Sequence, residues 1–269
     1  MSATVDRRRL RRNFGDRADD YDRHARVQQQ VVVRLIRRMG NCCPEEGLFL
    51  DVGCGTGALA RELCRLRPRL RPVLTDLAHG MTRHGRDRLP FALAADGAAD
   101  ALPFASASFV LVCSSSVYQW VGDLPAAFAE SARVLRPGGL FAFALFGSET
   151  LRELKTAYRQ AFRIVGGQES HLHELPRVPE VEKALLKVGY EEVEVGRETL
   201  VEYHRTVPEL LRGLKQIGAG NASPLSPRGL ASRSLFQKMT EIYRHNFEKR
   251  GRIPASYEVI YGSGRIAAF

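Results

Sequence analysis

The sequence predicts an α/β fold with a doubly wound, mostly parallel sheet. Short apolar runs alternate with helical patterns through residues 48–145, and this alternation is typical of parallel sheets. The first apolar run, 48–52, passes directly into a glycine-rich turn, and two later runs end in an aspartate. Because open α/β sheets bind ligands at the carboxyl ends of their strands, we expect a binding crevice at that edge.

These patterns assign the elements of the first half in order. Asp123 precedes Leu124-Pro125 and predicts the start of a helix that runs to about Leu135. The segment Arg136-Pro137-Gly138-Gly139 then ends this helix. Five strands, with helices between them, are predicted at 48–52, 72–76, 91–95, 109–113 and 140–145.

The N-terminal and C-terminal parts of the chain contain more helices and strands than a minimal ligand-binding sheet needs. Residues 1–45 are predicted to be helical, and helical patterns return at 149–164, 180–188 and within 207–250. Further strands are predicted at 191–195, 198–205 and 253–261. We therefore divide the chain into an N-terminal helical lid at 1–45, an α/β domain at 46–205, a helical cap insertion at 206–252 and a last strand of the α/β domain at 253–269.

The glycine-rich turn reads Asp51-Val52-Gly53-Cys54-Gly55-Thr56-Gly57. A Cβ atom at Gly53, Gly55 or Gly57 would keep a ligand away from the backbone. The spacing differs from the G-x-G-x-x-G pattern of dinucleotide-binding folds. With an acid two residues before the first glycine, the turn resembles motif I of class I methyltransferases that use S-adenosylmethionine (SAM). We predict SAM as the cofactor; the alternative is an ordinary glycine-rich turn between a strand and a helix.

Two more aspartates follow the predicted strands. Asp76 ends the second strand, where a carboxylate can accept hydrogen bonds from both ribose hydroxyls. Asp96 ends the third strand, where a carboxylate suits the exocyclic amine of adenine. Either residue could instead cap a helix or form a turn. The candidate cofactor-binding residues are Asp51, Gly53, Gly55, Gly57, Asp76, Asp96, Gly97 and Ser114.

The chain is basic, with 40 Lys and Arg against 30 Asp and Glu and a formal net charge of +10 over 269 residues. Arginines are concentrated in the first 38 residues. This segment is either a solvated surface or a docking site for an acidic protein. No zinc-finger, RNA-recognition or helix-turn-helix signature accompanies the charge, so we expect no nucleic-acid partner.

Hydropathy and the spacing of cysteines and histidines predict the cellular compartment and whether the protein binds a metal. No window holds 18 uninterrupted apolar residues and the N-terminus lacks a secretory signal, so we expect no membrane association. The five cysteines are irregularly spaced, which favours reduced thiols in the cytoplasm. Neither Cys42-Cys43 nor the pair His171 and His173 has the spacing of a zinc site, so no metal is expected.

Further motifs are spread along nearly the whole chain. The most specific are Gln119-Trp120, Leu214-Lys215-Gln216-Ile217-Gly218-Ala219 and Tyr257-Glu258-Val259. Together with the glycine turn they resemble the malonyl-acyl-carrier-protein O-methyltransferases of biotin synthesis, the BioC family. Other segments that contribute to the resemblance are Asn13-Phe14-Gly15, Ala18, Tyr21, Leu102-Pro103 and 133–139.

The resemblance implies a Rossmann-like, seven-stranded class I methyltransferase. The enzymes of this family transfer the methyl group of SAM to the free carboxylate of a malonyl thioester on acyl-carrier protein. Malonyl-CoA carries the same malonyl thioester and is the alternative substrate. The acidic carrier would dock on the N-terminal arginines. The alternatives are another class I methyltransferase acting on a small molecule or RNA, and a complex I assembly-type protein-arginine hydroxylase. Val110 and Ser114-Ser115-Ser116 depart from class I patterns, where Asp and Asn are common.

The implied chemistry restricts the catalytic candidates. A carboxylate with a pKa of about 4 is ionised at neutral pH, so methyl transfer to it needs no general base. It does need a cation or hydrogen-bond donors to hold the acceptor, and Lys215 is the candidate, with Arg205 and Arg212 as rivals. Tyr21 is expected to close over the cofactor or substrate, or else to pack between helix and sheet. Trp120 is expected to form a packing wall near the cofactor.

Overall fold

The computed structural model describes residues 6–15, 21–166, 174–219 and 233–268. A central sheet contains the strands β1 (Glu46–Val52), β2 (Arg69–Asp76), β3 (Leu93–Asp96), β4 (Phe109–Ser115), β5 (Leu135–Phe146), β6 (Glu191–His204) and β7 (Ile253–Arg265). The seven strands lie in the order β3-β2-β1-β4-β5-β7-β6. β1 to β5 pair in parallel, whereas β7 is antiparallel to β5 and β6. The predicted doubly wound, mostly parallel sheet is confirmed.

Helices cover both faces of this sheet. They are α1 (Arg7–Gly15), α2 (Tyr21–His24), α3 (Arg26–Met39), α4 (Ala58–Leu66), α5 (His79–Arg88), α6 (Leu124–Val134), α7 (Arg152–Val165), α8 (Val178–Val188), α9 (Val207–Gln216) and α10 (Arg233–Phe247). Buried residues of α3, α4, α7 and α10 share one hydrophobic cluster, and those of α6 and α8 share another. The fold is therefore a three-layer arrangement with helices on either side of the sheet.

Strand β5 shows how one run of apolar residues supplies both clusters. Its alternate side chains point to opposite faces, so Phe141 and Phe143 join the α6 side while Ala142 joins the α3 side. Both phenylalanines pack around the fully buried Tyr118. The Tyr118 hydroxyl lies 2.8 Å from Ser131 Oγ, and this hydrogen bond satisfies its polar atom inside the core.

Several predicted boundaries were wrong. The Arg136–Gly139 segment lies inside β5, because it bulges where the pairing with β4 shifts between Phe109 and Leu111. The two strands predicted at 191–195 and 198–205 form the single strand β6, because β7 pairs with both; the register shifts once, between Glu191 and Glu194, and is continuous from Glu194 to His204. The described part of the N-terminal helical region contains α1, α2 and α3, and the described part of 207–250 contains α9 and α10.

Membrane-spanning and metal-binding features were also searched in the described residues. No helix there is long and apolar enough to span a bilayer. Nor do three His, Cys, Asp or Glu side chains come together to hold a metal ion in that part of the chain. His171 and His173 lie outside the described residues. All five cysteines are free thiols.

The strand order locates the binding crevice. After β1 the chain crosses to β2 on one side, and after β4 it crosses to β5 on the other side. Because these connections leave in opposite directions, the carboxyl ends of β1 and β4 border an open crevice. The glycine turn follows β1, and Ser116 follows β4.

Two glycines offer a matched test of the packing. A Cβ at Gly262 of β7 would lie 2.3 Å from the Phe143 ring, whereas a Cβ at Gly213 of α9 would meet nothing within 4 Å. We predict that Gly262→Ala lowers the free energy of unfolding by about 1–3 kcal/mol through overpacking. Gly213→Ala should raise it by about 0.5–1 kcal/mol, because alanine favours the helix. Chemical denaturation measures both; an unchanged stability for Gly262→Ala would contradict this packing.

Candidate active site

A cleft of about 820 Å³ lies at the carboxyl edge of the sheet. Its floor is formed by the ends of β1, β2 and β4, and α1 and α2 cover it from above. The floor residues include Val52, Gly53, Gly55, Asp76, Gly97, Ser115 and Ser116, and the covering residues include Arg7, Leu10, Arg11, Phe14 and Tyr21. The cleft occupies the crevice that the strand order creates.

The glycine turn forms the wall next to β1. Gly53 has φ +66°, and an added Cβ there would lie 2.1 Å from the Val117 side chain. Gly55 has φ +51°, and a Cβ at this position would meet no protein atom within 4 Å. The backbone at Gly55 therefore borders open space in the cleft, as a turn that admits a ligand to the main chain requires. This observation fits the amino-acid end of a nucleoside cofactor such as SAM.

Asp76 is fixed at the end of β2. Its Oδ2 accepts a hydrogen bond from Gly55 N at 3.0 Å and its Oδ1 accepts one from Ala78 N at 2.8 Å. Burial raises the pKa of Asp76 to about 6, and these backbone hydrogen bonds oppose that rise. Each oxygen retains a lone pair, so the carboxylate can still accept two ribose hydroxyls. Gly97 lines the cleft next to Asp76, since Gly97 N donates to Asp76 O.

Two predicted cofactor residues lie beneath the cleft instead of lining it. Asp51 is only 1% exposed, and its Oδ2 accepts from Ala60 N at 3.2 Å. Burial raises the pKa of Asp51 to about 7. Gly57 has φ +77° and stands before the first residue of α4. Both residues shape the turn and hold the start of helix α4 beneath the cleft.

Asp96 and Ser114 also fall outside the lining. Asp96 Oδ2 lies 2.9 Å from His79 Nδ1 at the rim. Ser114 is fully buried and donates from Oγ to Val52 O at 2.8 Å, so it joins β4 to β1. The sheet register places the next residues on the cleft instead.

Those next residues, Ser115 and Ser116, were not predicted to bind the cofactor. Both line the cleft, and both side-chain oxygens are buried with no hydrogen-bond partner among the described residues. Ser116 also has φ +63°, which is uncommon for a residue other than glycine and frequent at functional sites. Unpaired buried hydroxyls are costly, so these two favour a polar ligand group in the cleft. The only sequence signal was the departure from the class I pattern.

The N-terminal helices are tied to the glycine turn by Asp22. Its carboxylate accepts from Thr56 Oγ1 at 2.6 Å and pairs with Arg88 of α5. Tyr21, the preceding residue, lines the cleft. Burial, with Asp76 and Asp22 nearby, raises the pKa of the Tyr21 phenol, so it remains protonated at neutral pH.

Three aromatic rings cover the cleft together. The Phe14 ring centroid lies 6.4 Å from that of Tyr21 and 6.2 Å from that of Trp120, the latter in an edge-to-face arrangement. Arg7 of α1 pairs with Asp100 on the opposite rim. The aromatic cover restricts access of water to the cofactor end of the cleft.

A second cavity of about 1430 Å³ adjoins the first at Trp120, which lines both. Its walls come mainly from α7, α9 and α10, and most of the lining side chains are apolar. Two lysines lie among them, Lys155 of α7 and Lys215 of α9. Arg205 and Arg212, the sequence-predicted rivals of Lys215, do not line this cavity. Lys155 was not predicted, because its motif is only a helical stripe.

A comparison with known proteins defines the class. A family profile described as "Methyltransferase domain" matches residues 50–143, which contain the glycine turn, β2, β3 and β4. A putative methyltransferase from Bacillus halodurans has the same fold, with a TM-score of 0.61 at 16% identity, over 88% of this chain and 99% of that one. The protein is a methyltransferase of class I fold, and the predicted cofactor SAM is confirmed.

Relatives of similar length define the family. The malonyl-[acyl-carrier protein] O-methyltransferase of Geobacter sulfurreducens is 44% identical over 97% of this chain and 99% of its own. The protein of the same name from Halorhodospira halophila is 35% identical over 96% of this chain and 88% of its own. The chain belongs to the malonyl-[acyl-carrier protein] O-methyltransferase family.

The raised pKa of Asp76 predicts how cofactor affinity depends on pH. Ribose hydroxyls donate to the ionised carboxylate, so affinity should be constant well above the pKa of about 6 and should fall as pH drops through it. The fall approaches about tenfold per pH unit at low pH. Calorimetric titration with S-adenosylhomocysteine measures this effect.

The variant Asp76→Asn should bind more weakly and lose the pH dependence. Asp87→Asn, an exposed position on the neighbouring α5, is the matched control and should behave as the wild type. A wild-type affinity that does not change between about pH 5 and pH 8 would refute the role of Asp76.

Proposed function

We propose that this protein transfers the methyl group of SAM to the free carboxylate of a malonyl thioester on acyl-carrier protein, a step of biotin biosynthesis. The observation that carries the proposal is the apolar, lysine-bearing cavity that meets the cofactor cleft at Trp120. Whole-chain similarity to proteins named for this activity supports it. With all five thiols free, the cytoplasm is the proposed compartment.

The chemistry places few demands on the protein. Bound SAM supplies a methyl group on a positively charged sulfur. A carboxylate oxygen forms a bond to the methyl carbon as the carbon–sulfur bond breaks, and the electron pair of that bond remains on sulfur. No proton moves, because the acceptor, with a pKa of about 4, is already ionised. The residues therefore act by orienting the two reactants and excluding water.

The proposed residue roles follow from the two cavities. Gly53, Gly55, Asp76 and Gly97 would hold the cofactor, and Ser115 and Ser116 would bind its polar end. Tyr21 would close the cofactor end and Trp120 would divide the donor cleft from the acceptor cavity. Lys215 lines the acceptor cavity and would position the substrate. In this proposal residues 1–45 act as the lid and 206–252 as the cap over the substrate.

An assay with radiolabelled SAM tests the reaction directly. Malonyl-acyl-carrier protein should accept the label and acetyl-acyl-carrier protein should not, because only the malonyl group offers a free carboxylate. Malonyl-CoA in a parallel reaction measures the contribution of the carrier. Activity should survive a metal chelator, whereas hydroxylation by a metal enzyme would not. Labelling of neither malonyl thioester would refute the proposal.

Carrier docking is proposed on the outer face of α1. Arg8 and Arg12 are exposed and one helical turn apart, whereas Arg7 and Arg11 line the cofactor cleft. The net charge of +10 favours encounter with an acidic partner. The docking hypothesis therefore concerns Arg8 and Arg12 among the arginines of α1.

Charge reversal at Arg8 and Arg12 should raise KM for malonyl-acyl-carrier protein about tenfold and leave kcat for malonyl-CoA unchanged. The matched control reverses Lys183 and Lys187 of α8, which have the same spacing and are exposed. Steady-state kinetics at low and high salt measures the effect, since screening should shrink the difference. Equal KM values for both double variants would rule out this docking face.

A further inference from the structure

Helix α7 presents a charged residue within an apolar stripe. Leu154, Lys155 and Tyr158 line the acceptor cavity from one face of α7, and Leu151, the residue before the helix, lines it as well. The opposite face of α7 contributes Ala157 to the core. The ammonium group of a lysine in such an apolar wall loses part of its hydration, and the apolar side chains around it offer no hydrogen bonds in return. Such a position is costly unless an anion approaches.

The ammonium group of Lys155 is held but not neutralised. Its Nζ donates to Ser148 O at 2.9 Å, and none of the described carboxylates lies within ion-pair distance. Burial and Arg159 lower the pKa of Lys155, while Glu149 and Glu258 oppose this shift. The half-buried cation therefore retains hydrogen-bond donors for a ligand.

The carbonyl oxygen of Ser148, which accepts from Lys155, lies in a turn that neighbouring hydrogen bonds hold in place. Glu258 of β7 is 4% exposed, and its Oε2 accepts from Glu149 N at 2.9 Å. The other oxygen, Oε1, accepts from Arg197 at 3.1 Å, so this carboxylate is already satisfied by other donors. Ser148 N donates to Pro176 O at 3.1 Å. The turn between β5 and α7 thus fixes the direction of the lysine.

Lys215 provides the contrast within the same cavity. It is exposed on α9, close to the end of that helix, where a solvated ammonium group loses little by having no partner. Lys155 is half-buried on a helix packed against the sheet. A desolvated cation attracts a carboxylate more strongly than an exposed cation does.

We infer that Lys155 binds the free carboxylate of the acceptor, a conclusion that rests on the proposed function. An ammonium group can bond one carboxylate oxygen and leave the other free to attack the methyl carbon. The methyl ester product has no charge at this position, so the same contact favours release of the product. Lys155 is thereby a specificity-determining residue that selects thioesters with a free carboxylate.

The test compares malonyl-acyl-carrier protein with its methyl ester, each titrated calorimetrically into the enzyme saturated with S-adenosylhomocysteine. The wild type should bind the acid at least about tenfold more tightly than the ester, as expected for a hydrogen-bonded ion pair. Lys155→Met should abolish this preference by weakening acid binding alone. Lys155→Arg should restore part of it.

Lys187→Met, an exposed position on α8 outside the lining of both cavities, is the matched control and should keep the preference of the wild type. Unchanged affinity for S-adenosylhomocysteine in Lys155→Met shows that the fold and cofactor cleft are intact, and Lys155→Gln replaces it if that variant does not fold. A preference retained in Lys155→Met, or lost to the same extent in Lys187→Met, overturns the inference while leaving the proposed function in place. A wild type that binds neither malonyl-acyl-carrier protein nor its methyl ester overturns both the inference and the proposed function.

Discussion

The reversal of strand order between β1 and β4 is the constraint on which the active site depends. It opens the carboxyl edge of the sheet where the backbone at Gly55 borders empty space. Gly53 makes the turn possible, because Val117 from the β4 side occupies the volume of a side chain at that position. Asp22 then fastens α2 to the same turn through Thr56. The strand order thus sets the floor of the cleft, and the glycine turn in that floor sets the position of α2.

Desolvation shifts the pKa values of several charged residues in and around the site. Burial raises the pKa of Asp51 to about 7 and that of Asp76 to about 6, and burial also lowers the pKa of Lys155. Since both carboxyl pKa values lie above their unfolded values, the stability they contribute with the proton bound is lost as pH rises through about 6 to 7. Ligands that supply the opposite charge or hydrogen-bond donors compensate for this cost.

Local sequence signals were sufficient for the sheet and for part of the lining of the cleft. Asp76 and the glycine turn could be predicted because strand end, turn and helix start are consecutive in the chain. Ser115 and Ser116 could not, because only the folded structure shows that their hydroxyls are buried beside the cleft with no partner among the described residues. Lys155 is recognisable only once α9 and α10 close the cavity around an otherwise ordinary helical stripe. The residues missed are those whose environment is made by distant segments.

The two cavities also explain why a site with few polar groups suits carboxyl methylation. A cationic donor and an anionic acceptor both become neutral as the methyl group moves, so charge disappears along the reaction. Apolar walls such as those lining the acceptor cavity destabilise the separated charges more than the partly neutralised transition state. A strongly solvating pocket would do the opposite. In the role inferred for it, Lys155 would orient the carboxylate through one oxygen, while the apolar walls around it would keep water from stabilising the reactants.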